Sequence, residues 1–192
     1  MIRDARLSEA AGVGRLHSEI TSGFLPSLGA AFLGRLYRAL IAWDGADVLV
    51  GEEGGRLTGF VASVDDTGAF YRHFAVRHGV MAGLVALPRL IRPSAIKRAW
   101  ETLRYGTSEE GDVHAELLAI ATATESRGKG WGGRLLAAAT DRYRERGLSA
   151  VRVVVGADNE ASLAAHRKAG FSDRETIELH AGEPSKVLVW SA

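Results

Sequence analysis

The sequence predicts a single mixed α/β domain in which a central sheet of about six to seven strands is flanked by helices. Three observations predict it. Runs of β-branched and apolar residues alternate along the chain with stretches of helical periodicity. Glu53-Gly54-Gly55 separates two β-rich runs, as in a strand–turn–strand hairpin. VRVVV at 151–155 is continuously apolar save for one arginine, as a buried central strand would be. At 192 residues and 46% hydrophobic, the chain can bury a core of its own without disulfides or metal staples. The absence of cysteine excludes thiolate zinc sites, iron–sulfur ligation and a cysteine nucleophile. A net charge of +1 is not the basic balance of a general nucleic-acid binder.

In order, residues 2–6 suit a short edge strand, and Ser8 is the expected N-cap of a helix carrying Ala10, Val13, Leu16, His17 and Ile20 at helical spacing. GFLPSLG (23–29) is a turn-rich break, followed by a second amphipathic helix through Phe32, Leu33, Leu36, Tyr37, Leu40 and Ile41. The hairpin spans 48–64. Residues 69–105 then carry a net charge of +6, leaving −5 on the rest, and read as an insertion of two or three short helices broken at Pro88 and Pro93. Such a basic amphipathic segment suits a solvated insertion, an anion-facing lid or a membrane-surface lid. VHAELLAIA (113–121) is the next strand, with His114, Glu116, Leu118 and Ile120 expected on one face by period two. A helix follows RGKGWGG (127–133) and ends at Gly147. After the strand 151–155, a helix capped by Asp158 or Asn159 ends at Gly170, and strands at 174–180 and 186–190 close the chain around Gly182-Glu183-Pro184.

The glycine-rich turn from Arg127 to Gly133 is the strongest chemical signal. A turn of this kind entering a helix presents backbone N–H groups at the positive end of the helix dipole, which suits a phosphate or diphosphate. Arg127 and Lys129 add formal positive charge beside it. Gly128, Gly130 and Gly133 match a dinucleotide fingerprint on paper, but seven residues, Ala121 to Arg127, intervene between the strand and the first glycine. A P-loop fails because Gly130, not Ser or Thr, follows Lys129.

LLAIATATESRGKGWGGRLL (117–136) resembles the signature of the GCN5-related N-acetyltransferases (GNAT), centred on Arg127-Gly128-Lys129-Gly130-Trp131-Gly132. NEASLAAHRKAGF (159–171) resembles the family's following segment, matched at Asn159, Ser162, His166, Lys168, Gly170 and Phe171. The resemblance implies a GNAT-like, mostly antiparallel sheet; the clear departure from it is the segment 69–105, inserted between the third and fourth strands where many members have only a short connection. It also implies acetyl-CoA as acetyl donor. The backbone of Ile120, Ala121 and Thr122 would pair with the pantetheine arm. The N–H groups across Arg127, Gly128, Lys129, Gly130, Trp131, Gly132 and Gly133 would cradle the pyrophosphate, and Asn159 and Ser162 would lie beside the cofactor.

Acetyl transfer needs a neutral amine, so a carboxylate or histidine must stand near the acceptor. Glu116 is the expected base, with His114 on the same predicted face. His166 occupies the position where the family often places a tyrosine that protonates the departing thiolate, and it is the expected acid. The acceptor is expected to be a small-molecule primary amine, bound by residues 23–29 and part of the insertion. Acids at 109, 110, 112 and 116 favour a cationic amine, whereas the basic insertion favours an anionic one. A protein amine, or a non-catalytic acyl-CoA sensor that ignores Glu116, are the alternatives. No metal and no nucleic-acid partner are expected, and a homodimer is left open. The charged N-terminus and a longest apolar stretch of Gly79 to Leu87 predict a cytoplasmic protein without stable membrane insertion.

Overall fold

A computed structural model describes residues 1–20, 24–90, 113–180 and 183–192. Its centre is a seven-stranded sheet of order β1-β2-β3-β4-β5-β7-β6. The strands are β1 (Ile2–Asp4), β2 (Ala46–Glu53), β3 (Arg56–Val64), β4 (Glu116–Thr122), β5 (Ala150–Gly156), β6 (Phe171–His180) and β7 (Glu183–Ser191). Every neighbouring pair is antiparallel except β4–β5. The β2–β3 hairpin turns where the sequence predicts, with φ of +57° at Gly54 and +77° at Gly55. Two consecutive left-handed residues match the right-handed twist of the flanking strands, and glycine adopts them without a Cβ clash.

The helices are α1 (Ala10–Ile20), α2 (Phe24–Ser27), α3 (Ala30–Ile41), α4 (Thr67–Leu90), α5 (Trp131–Glu145) and α6 (Glu160–Lys168). Alternation along the strands divides the core in two. Val48, Val50, Phe60, Ala62 and Val64 meet α1, α3 and α4 through Val13, Leu33, Leu36, Tyr37, Phe70 and Phe74. On the opposite face Leu49, Val61, Leu117, Val151 and Val153 meet α5 and α6 through Leu135, Leu136, Ala139, Tyr143 and Leu163. The helices α1 and α3 touch backbone to backbone at Gly14 and Gly34. A Cβ on Gly14 would lie 2.5 Å from Gly34 N, whereas one on Gly34 would lie 3.4 Å from Ala11 Cα.

Three expectations are corrected here. Ser8 does not cap α1. It lies inside a 3₁₀ turn, Leu7–Glu9, where the Glu9 carboxylate accepts from Arg6 N at 2.8 Å and takes the capping role. The insertion begins as one continuous 24-residue helix, α4, rather than several short ones. The expected break at Pro88 is not seen, since α4 runs through that position to Leu90, where the described residues stop. Its start is fixed by Asp66, whose Oδ1 accepts from Ala69 N at 2.7 Å. Third, β4 begins at Glu116, so His114 lies outside the strand and is exposed. Residues 91–105, the acids at 109, 110 and 112, and the turn residues Gly23 and Gly182 fall outside the described residues.

Arg3 ties the 3₁₀ turn to β2, bonding Glu9 at 2.6 Å and Glu52. The Arg3 guanidinium holds the Glu9 carboxyl down at about 2 from a usual 4.5. Because the folded value is the lower one, this pair stabilises fully above about pH 4.5 and is lost as pH falls toward 2. Glu9→Gln should flatten the melting temperature against pH between 2 and 4.5 and leave the slope above that window unchanged. An unaltered acid slope would remove Glu9 as its cause.

Candidate active site

The glycine turn is built for close approach. Gly128 and Gly130 have φ of +74° and +77°, and Gly130 is the N-cap of α5. A Cβ on Gly128, Gly130 or Gly133 would meet nothing within 4 Å, so the backbone lies bare at the positive end of the helix. Arg127 and Lys129 are exposed beside it. Trp131 contributes backbone only, because its indole is buried and packs where a Cβ on Gly51 would come within 2.8 Å of it. Arg134 lies over that indole at 3.7 Å, a cation–π cover on the first turn of α5.

The glycine turn opens from the end of β4, whose two edges are treated unequally. Toward β3 it pairs at six positions, from Gly59–Thr122 to Val64–Glu116. Toward β5 it pairs at one, Glu116–Arg152, with Arg152 N donating to Ala115 O at 2.9 Å. From Leu117 to Thr122 the two parallel strands have separated, leaving that edge of β4 without a partner among the described residues. A chain-like ligand can add there as a strand does.

A β-bulge in β4 reorders the side chains on this strand. Ala62 pairs with Ala119 but Ser63 pairs with Leu117, so Leu118 is the extra residue. The expected common face for Glu116, Leu118 and Ile120 is therefore broken. Glu116 pairs with Val64 and shares the face of α1, α3 and α4, whereas Ile120 pairs with Val61 and packs on the α5 side.

Glu116 sits where β4 and β5 meet. Its Oε2 accepts from Arg152 Nε at 3.0 Å and Nη2 at 2.9 Å, and lies 3.2 Å from Thr67 Oγ1 at the start of α4. Oε1 accepts no hydrogen bond among the described residues. The pair is mostly buried, with side chains 13% and 16% exposed. Neither Thr67 nor Arg152 is among the site residues the sequence predicts, although the lone arginine inside VRVVV is a signal for one of them. Tyr71, one turn beyond Thr67 on α4, packs against the same core.

His166 lies on the other side of the sheet, edge-on to Phe171 at 5.3 Å and 1% exposed. Its Nδ1 is 2.8 Å from Ser162 O, which as a carbonyl only accepts, so the ring proton resides on Nδ1. Nε2 is buried without a partner among the described residues. Burial pushes the imidazole below its ordinary value, so the ring is neutral and its one proton is already committed. Asn159 caps α6, its Oδ1 accepting from Ser162 N at 3.1 Å. A second buried histidine, His17 on α1, is marked in the sequence only by its helical spacing. Tyr37 Oη is 2.8 Å from its Nδ1, and burial holds it down at about 4.

The model of the Acetyltransferase (GNAT) family matches residues 17–171. The mycothiol acetyltransferase of Corynebacterium aurimucosum is 35% identical over 68 residues, 35% of this chain. The match spans only 22% of that relative's length. Among solved structures, a putative acetyltransferase from Salmonella typhimurium with acetyl-CoA superposes with a TM-score of 0.65 at 17% identity, covering 100% of this chain and 92% of that one. A GNAT-family acetyltransferase from Streptococcus pneumoniae gives 0.62 at 16%, covering 100% and 98%. A variant of the spermidine N-acetyltransferase of Vibrio cholerae gives 0.61 at 17%, covering 100% and 92%. At these identities the structures speak for the fold.

Proposed function

This chain belongs to the acetyltransferase (GNAT) family, and from that premise we propose that it transfers an acetyl group from acetyl-CoA directly to a primary amine on a small molecule. The observation that carries the reading is the unpaired edge of β4 running into the bare glycine turn at the N-terminus of α5. A diphosphate with a long extended arm fits that shape. Acetyl-CoA supplies the acetyl group as a thioester. The N–H groups from Arg127 to Gly133 hold the diphosphate, with Arg127 and Lys129 adding charge. The backbone of Ile120, Ala121 and Thr122 holds the arm, and Asn159, the cap of α6, and Ser162 in its first turn lie beside the cofactor in this reading.

Glu116 serves as base. With Oε2 committed to Arg152, Oε1 is the atom that takes the amine proton, directly or through one water. His166 is proposed as a neutral strut of α6 rather than a proton donor, since its proton already bonds Ser162 O. An amine acceptor is in keeping with the spermidine N-acetyltransferase among the structural neighbours.

The test is thermal shift with acetyl-CoA, CoA, NAD and NADP at matched concentrations. Acetyl-CoA and CoA should each stabilise, by about 2.7 kcal/mol at one hundred times Kd, and the nicotinamide cofactors should not. Gly130→Ala should fold but lose roughly tenfold or more in CoA affinity, because a Cβ at φ +77° costs about 1–2 kcal/mol and stands over the turn. A shift with NAD or NADP alone would overturn the assignment. So would CoA binding without acetylation of any amine in a broad panel, which fits an acyl-CoA sensor.

A further inference from the structure

Acetyl transfer generates a thiolate, and nothing described so far attends to it. His166 lies on the other side of the sheet from Glu116 and has its proton in use. The gap between β4 and β5 has one closed end. A ligand anchored by its diphosphate at Arg127–Gly133, lying along the free edge of β4, runs from Thr122 back toward Leu117. The gap ends where Glu116 pairs with Arg152. The reacting end of the ligand therefore comes to this junction.

Four side chains converge on it. Glu116 and Arg152 form the ion pair, and Thr67 Oγ1 lies 3.2 Å from Glu116 Oε2. The fourth is Tyr71. Residues four apart on a helix share a face, so Tyr71 stands one turn along α4 directly over Thr67. Phe70, its neighbour, is fully buried and holds it ring to ring at 5.6 Å. Tyr71 itself is only partly buried, and its hydroxyl makes no hydrogen bond among the described residues.

We propose that the Tyr71 hydroxyl is the hydrogen-bond donor to the departing sulfur, a role that rests on the acetyl-transfer reading above. Burial first, and the Glu116 carboxylate second, hold the phenol well above its ordinary value, against the opposing pull of Arg152. Such a phenol keeps its proton beside a thiolate and stabilises it by donation, as an oxyanion-hole donor does. The electron pair of the carbon–sulfur bond goes to sulfur as the carbon–nitrogen bond forms. The amine proton goes to Glu116 and then to solvent. The thiolate takes its proton from solvent on release, and Tyr71 ends as it began.

The decisive readout is ionisation of the thiol of bound CoA, followed by thiolate absorbance in the ultraviolet without turnover. In wild type the bound thiol should ionise about one pH unit or more lower than in Tyr71→Phe, because only the wild type bonds the charged form. Tyr71→Phe should also lower kcat by roughly tenfold to a hundredfold with little change in KM. Phe70→Leu, which loosens the packing beside Tyr71 without touching the hydroxyl, should lower the melting temperature and leave thiol ionisation unchanged. Equal ionisation in wild type and Tyr71→Phe would overturn the inference while leaving acetyl transfer standing. A thiol shift in Phe70→Leu as large as in Tyr71→Phe would overturn it too, by showing that packing alone sets the ionisation. Failure of CoA to bind wild type would overturn the proposed function and this inference with it.

Discussion

Gly14→Ala should lower stability by about 2 kcal/mol or more, a fall of roughly 4–8 °C in melting temperature for a domain of this size. The new Cβ would stand 2.5 Å from Gly34 N and 2.9 Å from both Gly34 Cα and Leu33 C. All three are backbone atoms of α3, so no rotamer change relieves the contact and the helices must separate. Alanine returns about 1 kcal/mol of helix propensity at the same position, which is too little to offset overpacking of this kind. The mirror substitution sets the scale. Gly34→Ala places its Cβ 3.4 Å from Ala11 Cα, an ordinary contact, and should be neutral or slightly stabilising. Thermal melts of the two variants decide the matter. Equal melting temperatures would mean that α1 and α3 do not meet in the register described.

Glu116→Gln should lower turnover with the true acceptor by about tenfold or more while CoA affinity stays within about twofold. The amide preserves shape and still accepts from Arg152, but it cannot take a proton from an amine. The division between kcat and cofactor affinity follows from geometry. Glu116 lies at the closed end of the β4–β5 gap, and the diphosphate turn lies beyond the opposite end of β4. Turnover unchanged across the pH range would end the role of Glu116 as base. Loss of CoA affinity alongside turnover would instead show that the Glu116–Arg152 pair holds the two strands at their junction.

Features legible in the sequence were those that a local rule determines. Gly54 and Gly55 forced the hairpin, and Arg127 to Gly133 announced a turn that could approach an anion. Asn159 was one of two candidate caps, and the structure resolves the choice through its bond to Ser162 N. What the sequence hid depended on partners distant along the chain. Leu118 carries no mark of a bulge. That one residue inverts the alternation of β4 and places Glu116 and Ile120 on opposite faces. Glu9 displaced Ser8 because Arg3 and Arg6 orient its carboxylate. The role of His166 turned on which ring nitrogen finds a carbonyl, a matter of helix geometry rather than residue type. Tyr71 carries no local mark either, because what sets it apart is Thr67 standing against Glu116, 49 residues away along the chain.

The single β4–β5 pair has a mechanical consequence. The sheet behaves as two panels, β1–β4 and β5–β7, sewn together by one stitch at Glu116 and Arg152 and backed by α5. Prying the panels apart concentrates the load on that stitch, because no second ladder rung among the described residues shares it. The ion pair is thus a rivet, and a guest that bonded to the loose edge would act as a splint across the seam.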